Sequence, residues 1–154
     1  MKALNPYINF NGNAEEAFTF YKSIFGGEFA MLMRFKDIPA DEALETGGCI
    51  DGEPAKDESN LIMHIALPIG NNILMASDVP SHMGQVTTGT NTSLSINVES
   101  KEEADRVFAG LSAGGSVQMP MGDMFWGDYF GMLTDKFGIQ WMVNYSESHQ
   151  PPRD

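Results

Sequence analysis

Three histidines make up the whole imidazole inventory of this chain, and their positions limit its chemistry. His149 falls in the polar tail SESHQPPRD and His82 in VPSHMGQVTTGTNT, so a three-histidine metal site is not expected. His64 differs because it sits inside the apolar run NLIMHIALPI. There Leu61, Met63, Ile65 and Leu67 take the apolar parity of a strand, which leaves His64 with Ile62 and Ala66 on the other side. An imidazole, with an unperturbed pKa of about 6.5, suits a general base or a hydrogen-bonding anchor. A structural histidine bonded to a neighbouring strand or to water would look the same in sequence, and both readings stand.

A second candidate is MPMGDMFWGDYFG (119–131), where Phe125, Trp126, Tyr129 and Phe130 lie beside three methionines. Such residues adapt to apolar or planar ligands, and they equally serve core packing or a dimer surface. Asp123 and Asp128 are the carboxylates near this patch. Cys49 lies in the acidic, glycine-containing loop ETGGCIDGEPAKDE, with no nearby cation to activate a thiolate. Neither G-x-x-x-x-G-K-[ST] nor G-x-G-x-x-G occurs, so neither a nucleotide nor S-adenosylmethionine held in the Rossmann manner is expected. No cofactor is expected.

Composition narrows the partners. The formal net charge is −12, with only nine Lys and Arg in 154 residues. Phosphate backbones and anionic membranes need clustered cations, so no nucleic-acid partner and no membrane partner is expected. The single cysteine cannot pair within the chain, which fits a reducing compartment. MKALNPYINF lacks the apolar core of a secretory signal, and no apolar run is long enough to span a bilayer. The expected location is cytoplasmic.

The elements that position these residues are written twice. INFNGNAEEAFTFY (8–21) returns as INVESKEEADRVF (96–108), pairing Ile8 with Ile96, Asn9 with Asn97 and Phe10 with Val98. Ser100 with Glu103 forms a capping box, and Asn13 with Glu16 is its near relative. Apolar residues follow at helical spacing in both copies, and Gly26-Gly27 and Gly114-Gly115 supply left-handed positions that end the helices. Three strands follow each helix: EFAMLMRF, SNLIMHIALPI and NILMASD, then SVQMPM, YFGMLTD and IQWMVNY. PIGNN and DKFG are the hairpin turns. The fold expected is α+β: two tandem βαβββ modules, 1–78 and 93–146, joined by a 79–92 linker and followed by a flexible 147–154 tail.

Strand parity then separates two faces. Asn5, Tyr7 and Asn9 oppose Leu4, Ile8 and Phe10, while Ser93, Ser95 and Asn97 oppose Leu94, Ile96 and Val98. Gln140, Met142 and Asn144 oppose Ile139, Trp141 and Val143, while Ile73, Met75 and Ser77 oppose Leu74 and Ala76. The polar side carries amides, hydroxyls and thioethers but no Lys, Glu or Asp on these strands. That composition reads as the lining of a ligand cleft more than as a water-facing surface.

PYINFNGNAEEAFTFYKSIFGGE, IMHIALPIGNNILMASD and FWGDYFGMLTDKFGIQWMVNY resemble the vicinal oxygen chelate superfamily of glyoxalases, dioxygenases and bleomycin-resistance proteins, and specifically its PhnB-like branch. The resemblance implies curved, mostly antiparallel sheets around a cleft, with the 119–131 stretch over its mouth. That makes Trp126 and Asp128 candidates beside His64. Metal-using relatives take four ligands from cleft-facing strand positions, which the resemblance carries onto Asn5, Met75, Ser93 and Met142 here. An amide, a hydroxyl and two thioethers suit neither zinc, nickel, iron nor manganese, so no metal site is expected. The function expected is metal-independent binding of a small organic molecule, with homodimers common among such binders. The alternative is an enzyme using His64 and Asp128, of lyase, isomerase or hydrolase type, or a metal enzyme with other ligands.

Overall fold

The computed structural model describes residues 1–39 and 58–149. The loop carrying Cys49 and tail residues 150–154 lie outside the described residues. The chain divides into two compact units, Met1–Thr87 and Thr88–Asp154, a division that falls inside the stretch read as a linker.

The first unit runs β1 (Tyr7–Phe10), α1 (Ala14–Phe25), β2 (Met31–Arg34), β3 (Ile62–Ile69) and β4 (Asn72–Asp78). The second runs β5 (Leu94–Asn97), α2 (Lys101–Ser112), β6 (Ser116–Asp123), β7 (Tyr129–Thr134) and β8 (Gln140–Tyr145). Each builds a four-stranded sheet, ordered β1-β4-β3-β2 and β5-β8-β7-β6. In both, the first strand pairs parallel with the last, and the other pairings are antiparallel. This is the expected βαβββ unit, present twice. The sequence repeat is exact in register: Ile8 lies opposite Ala76 and Ile96 opposite Val143, as the alignment of ILMASD with QWMVNY requires.

The cores follow from helix periodicity. Ala14, Ala17, Phe18, Tyr21 and Ile24 of α1 are buried, as are Phe10, Ile65, Leu67, Leu74 and Ala76 of its sheet. Phe18 meets Phe10 and Tyr21 edge to face at 6.4 and 5.7 Å. Ala104, Val107, Phe108 and Leu111 of α2 are buried in the same way, with Leu133, Trp141 and Val143. Each large side chain so buried contributes about 1.5–3 kcal/mol. Gly131 belongs to this packing, because a methyl group there would strike the Phe108 ring and the Met121 sulfur.

The two helices begin differently. Ser100 Oγ accepts from Glu103 N at 3.0 Å, as expected, while the Glu103 carboxylate reaches back to Glu99 N at 2.9 Å. Asn13 caps nothing with its side chain, contrary to its reading as a capping-box relative. Its place is taken from the sheet. Asp78, 3% exposed at the end of β4, accepts from Gly12 N at 3.0 Å and Ala14 N at 2.9 Å on one oxygen. Its other oxygen accepts from Ile62 N at 2.9 Å. A carboxylate under a helix start gains from the helix dipole and satisfies donors that would otherwise be orphaned.

The glycine pairs also divide. Gly26, Gly27 and Gly114 have positive φ (75°, 79° and 75°), but Gly115 does not share that conformation. It is glycine because a Cβ there would collide with the Thr134 carbonyl and the Asp135 backbone. A close approach of two chain segments, not a left-handed turn, selects it.

Replacing Asp78 with Ala strands three backbone amides, two of them in buried bonds, and should destabilise the protein by about 3 kcal/mol. Ser100→Ala should cost about 1 kcal/mol, since it removes a single cap. Urea denaturation of the two variants beside the parent checks the ordering. Equal midpoints would contradict the role given to Asp78.

Candidate functional site

A β-bulge decides which side chains accompany His64. Met33 lies opposite His64 and Arg34 opposite Ile62, so Met63 is the extra residue on β3. Arg34 turns toward α1, where its guanidinium donates to both Glu15 oxygens at 2.8 Å. Ile62 therefore lies on the helix side and is buried. This corrects the parity reading, which put Ile62 beside His64, because an inserted residue reverses the alternation beyond it.

The face of the first sheet turned away from α1 carries two rows of partners. Tyr7, Met75, Ala66 and Met31 form one row across β1, β4, β3 and β2. In the next, Asn9 faces Ser77 and His64 faces Met33. Ser77 Oγ donates to Asn9 Oδ1 at 3.3 Å. Tyr7 Oη lies 3.3 Å from His64 Nδ1, with the rings tilted and their centroids 5.7 Å apart. Tyr7 is exposed and His64 half-buried. Asn5 does different work: its Oδ1 accepts from Ile73 N at 3.1 Å, prolonging the β1–β4 pairing beyond β1.

The second sheet repeats this pattern. Ser95, Met142, Met132 and Met119 form a row across β5, β8, β7 and β6. Asn97, Asn144, Phe130 and Gly122 form the next, and Asn144 Nδ2 donates to Asn97 Oδ1 at 3.2 Å. The amide pair Asn97–Asn144 stands where Asn9–Ser77 stands in the first unit. Gln140 Nε2 donates to the Thr92 carbonyl at 2.8 Å, the counterpart of the Asn5 bond, and Ser93 is exposed just before β5.

Trp126 adjoins this face through Phe130, its ring 5.9 Å away, and meets Phe125 edge to face at 5.0 Å. Phe125 is 98% exposed and Trp126 52%. Asp128 is half-buried, and its carbonyl accepts from Met124 N at 2.8 Å to close the loop. His64 and Asp128 belong to different units.

Charge is confined to the helix side. Among the described strands only Arg34, Asp78 and Asp123 are charged. Arg34 and Asp78 bond to Glu15 and to the start of α1, and Asp123 accepts from Lys101 at the start of α2 at 2.7 Å. The Arg34 hydrogen bond holds the Glu15 carboxyl below the usual range, and Asp105, accepting from Tyr129 Oη at 2.6 Å, raises the Tyr129 phenol. The opposite faces carry amides, hydroxyls, thioethers, one imidazole and aromatic rings.

Met31, Met33 and Met132 are absent from the residues that sequence reasoning singles out, although the alternation in AMLMRF and YFGMLTD holds the signal; Met119 and Phe130 fall in the 119–131 candidate segment. Without strand order, nothing indicates that they continue the rows begun by Tyr7 and Ser95.

A family model described as the Glyoxalase/Bleomycin resistance protein/Dioxygenase superfamily matches residues 3–143. The chain belongs to this superfamily. Protein YjdN of Escherichia coli K12 is 32% identical over 142 residues, covering 92% of this chain and 93% of its own. The crystal structure of protein PA1353 from Pseudomonas aeruginosa is 42% identical with a TM-score of 0.76, covering 94% of this chain and 98% of that one. A PhnB protein of Bacillus cereus, described provisionally as a 3-demethylubiquinone-9 3-methyltransferase, is 27% identical with a TM-score of 0.68, covering 93% and 98%. PhnB-like proteins are thus among the neighbours of this member of the glyoxalase superfamily.

The resemblance carries the metal positions of metal-using relatives onto Asn5, Met75, Ser93 and Met142, an amide, a hydroxyl and two thioethers. The Asn5 oxygen is occupied by a backbone amide. Among the described residues, no three His, Cys, Asp or Glu side chains come together, and no helix is long and apolar enough to cross a membrane.

Trp126 is exposed, whereas Trp141 is 2% exposed and donates from its indole nitrogen to the buried Asp135 at 2.8 Å. Acrylamide should therefore quench about half of the tryptophan emission readily, and Trp126→Phe should leave only the protected half. Uniform quenching in the parent would contradict this placement.

Proposed function

We propose that this protein binds a small organic molecule, neutral or cationic, on the helix-free faces of its sheets, without a zinc, nickel, iron or manganese ion. The observation that carries the reading is the separation of charge: every charged strand residue described lies on the helix side, and the opposite faces carry only neutral donors, acceptors, thioethers and rings. A sheet face that serves only to meet water would ordinarily bear Lys, Glu or Asp. Sparse hydrogen-bonding groups among polarisable ones are the composition of ligand sites. The net charge of −12 disfavours an anionic ligand.

Within this reading, Tyr7 and His64 anchor the ligand's polar group. If the Tyr7 hydroxyl is the donor to Nδ1, the neutral imidazole carries its proton on Nε2. On this first sheet Asn9 and Ser77 supply further polar contacts and Met75 a soft one; on the second sheet, taken by itself, Ser95, Gln140 and Asn144 are the polar groups, Met142 the soft one and Trp126 a flat apolar wall. The protein would work as a homodimer in the cytoplasm. The Tyr7–His64 pair also supports a second reading, an enzyme in which His64 moves a proton.

A thermal-shift screen of neutral, cationic and anionic organic compounds, with elemental analysis of protein purified without chelator, tests the proposal. Stabilisation by neutral or cationic compounds is expected, without stoichiometric divalent metal. For a compound so found, either His64→Ala or Trp126→Ala, according to the unit that holds it, should weaken binding about tenfold, the loss of one polar or stacking contact. Stoichiometric zinc, nickel, iron or manganese would overturn the metal-free reading, and unchanged affinity in both variants would overturn the assigned site. Turnover lost in His64→Ala with affinity retained would favour the enzyme.

A further inference from the structure

We propose that the second unit binds a soft monovalent cation, copper(I) or its redox-inert mimic silver(I), through the thioethers of Met119, Met132 and Met142. Met132 lies opposite Met142 in regular pairing, and Met119, held between two register shifts of β6, is the residue paired with Met132, so the three come from neighbouring positions of adjacent strands. Residues directly opposite in a sheet share a face, with Cβ atoms about 4.5–5.5 Å apart. Methionine's unbranched, rotatable side chain lets neighbouring sulfurs converge across that spacing on one ion.

These thioethers are not committed to the core. Gly131 and Leu133, on either side of Met132, are buried on the α2 side, which turns Met132 to the open face. Met132 and Met142 are half-buried there, and Met119 is exposed. Met121 shows the alternative: its sulfur sits beside Gly131 against Phe108, on the helix side. Thioethers are soft, uncharged donors, a set that selects copper(I) over zinc, iron, manganese or magnesium. No Lys or Arg stands on this face among the described residues, so nothing there repels a cation.

The repeat provides an internal comparison. In the first unit the equivalent row reads Tyr7, Met75, Ala66, Met31, and Ala66 interrupts the thioethers at the position of Met132. The site is therefore assigned to the second unit alone. It shares Met142 with the organic-ligand face proposed above but does not rest on that reading, and either proposal can fail without the other.

The test uses the full chain carrying Cys49→Ser, which removes a competing thiol, and protein labelled with 13C at the methionine methyls. Silver nitrate titrated in by calorimetry should bind at one equivalent and shift the Met119, Met132 and Met142 methyl signals together. Met132→Leu and Met142→Leu, each checked for folding by circular dichroism, should weaken binding at least tenfold, whereas Met75→Leu in the first unit should not. Copper(I) competed against a chromophoric chelator under argon should follow the same order. Unmoved methyl signals, or parental affinity in a folded Met132→Leu or Met142→Leu variant, would overturn the proposal.

Discussion

Asp78 stands at the end of β4 with its carboxylate buried beneath the start of α1, and its amide partners come from separate pieces of chain. Gly12 and Ala14 belong to the turn and helix that follow β1, and Ile62 begins β3. One anion thus ties the parallel β1–β4 pair, the helix and the neighbouring antiparallel strand into one body. Burying a carboxylate is costly unless its lone pairs are filled, and three short bonds at a helix N-terminus fill them. This arrangement holds the apolar face of α1 over Leu74, Ala76 and Ile65, and so leaves the other face of the sheet uncovered by its own helix.

The second unit reaches the same geometry by another route. Tyr145 occupies the place of Asp78, and Ser100 caps α2 locally. Its buried carboxylate is Asp135, in the β7–β8 turn, which accepts from Phe137 N, Ile139 N and the Trp141 indole at 2.8, 3.0 and 2.8 Å. Among the described residues, each unit has one buried carboxylate, 3% exposed, that organises the backbone at an end of the sheet, but at different places. The repeat preserves the problem, which is holding one helix on four strands, and varies the polar device that solves it.

Keeping ionic contacts on the helix side has a chemical consequence. Arg34 with Glu15 and Lys101 with Asp123 both join a sheet to its own helix. The opposite faces are thereby freed of charge and hold groups that bond weakly and adaptably. The proposals of a neutral or cationic organic ligand and of a soft ion both rest on this separation of charge. The fold is that of the superfamily.

Much of this was readable from local patterns. Helical spacing, the Ser100 cap, the Gly70-Asn71 and Asp135–Gly138 turns and the duplicated strand–helix segment are all properties of a few adjacent residues. They determined the elements, the two-fold repeat and the alternation that set Tyr7, Asn9, Ser95 and Asn144 apart from the core. Tertiary structure alone decided that Asp78, not Asn13, caps α1, that a bulge at Met63 moves Ile62 to the helix side, and that Gly115 is required by the Thr134 carbonyl. It also decided that Met119, Met132 and Met142 stand in one row. The physical reason is range: periodicity and capping act within a turn or two of chain, whereas register, bulges and buried polar bonds depend on segments that only strand pairing brings together.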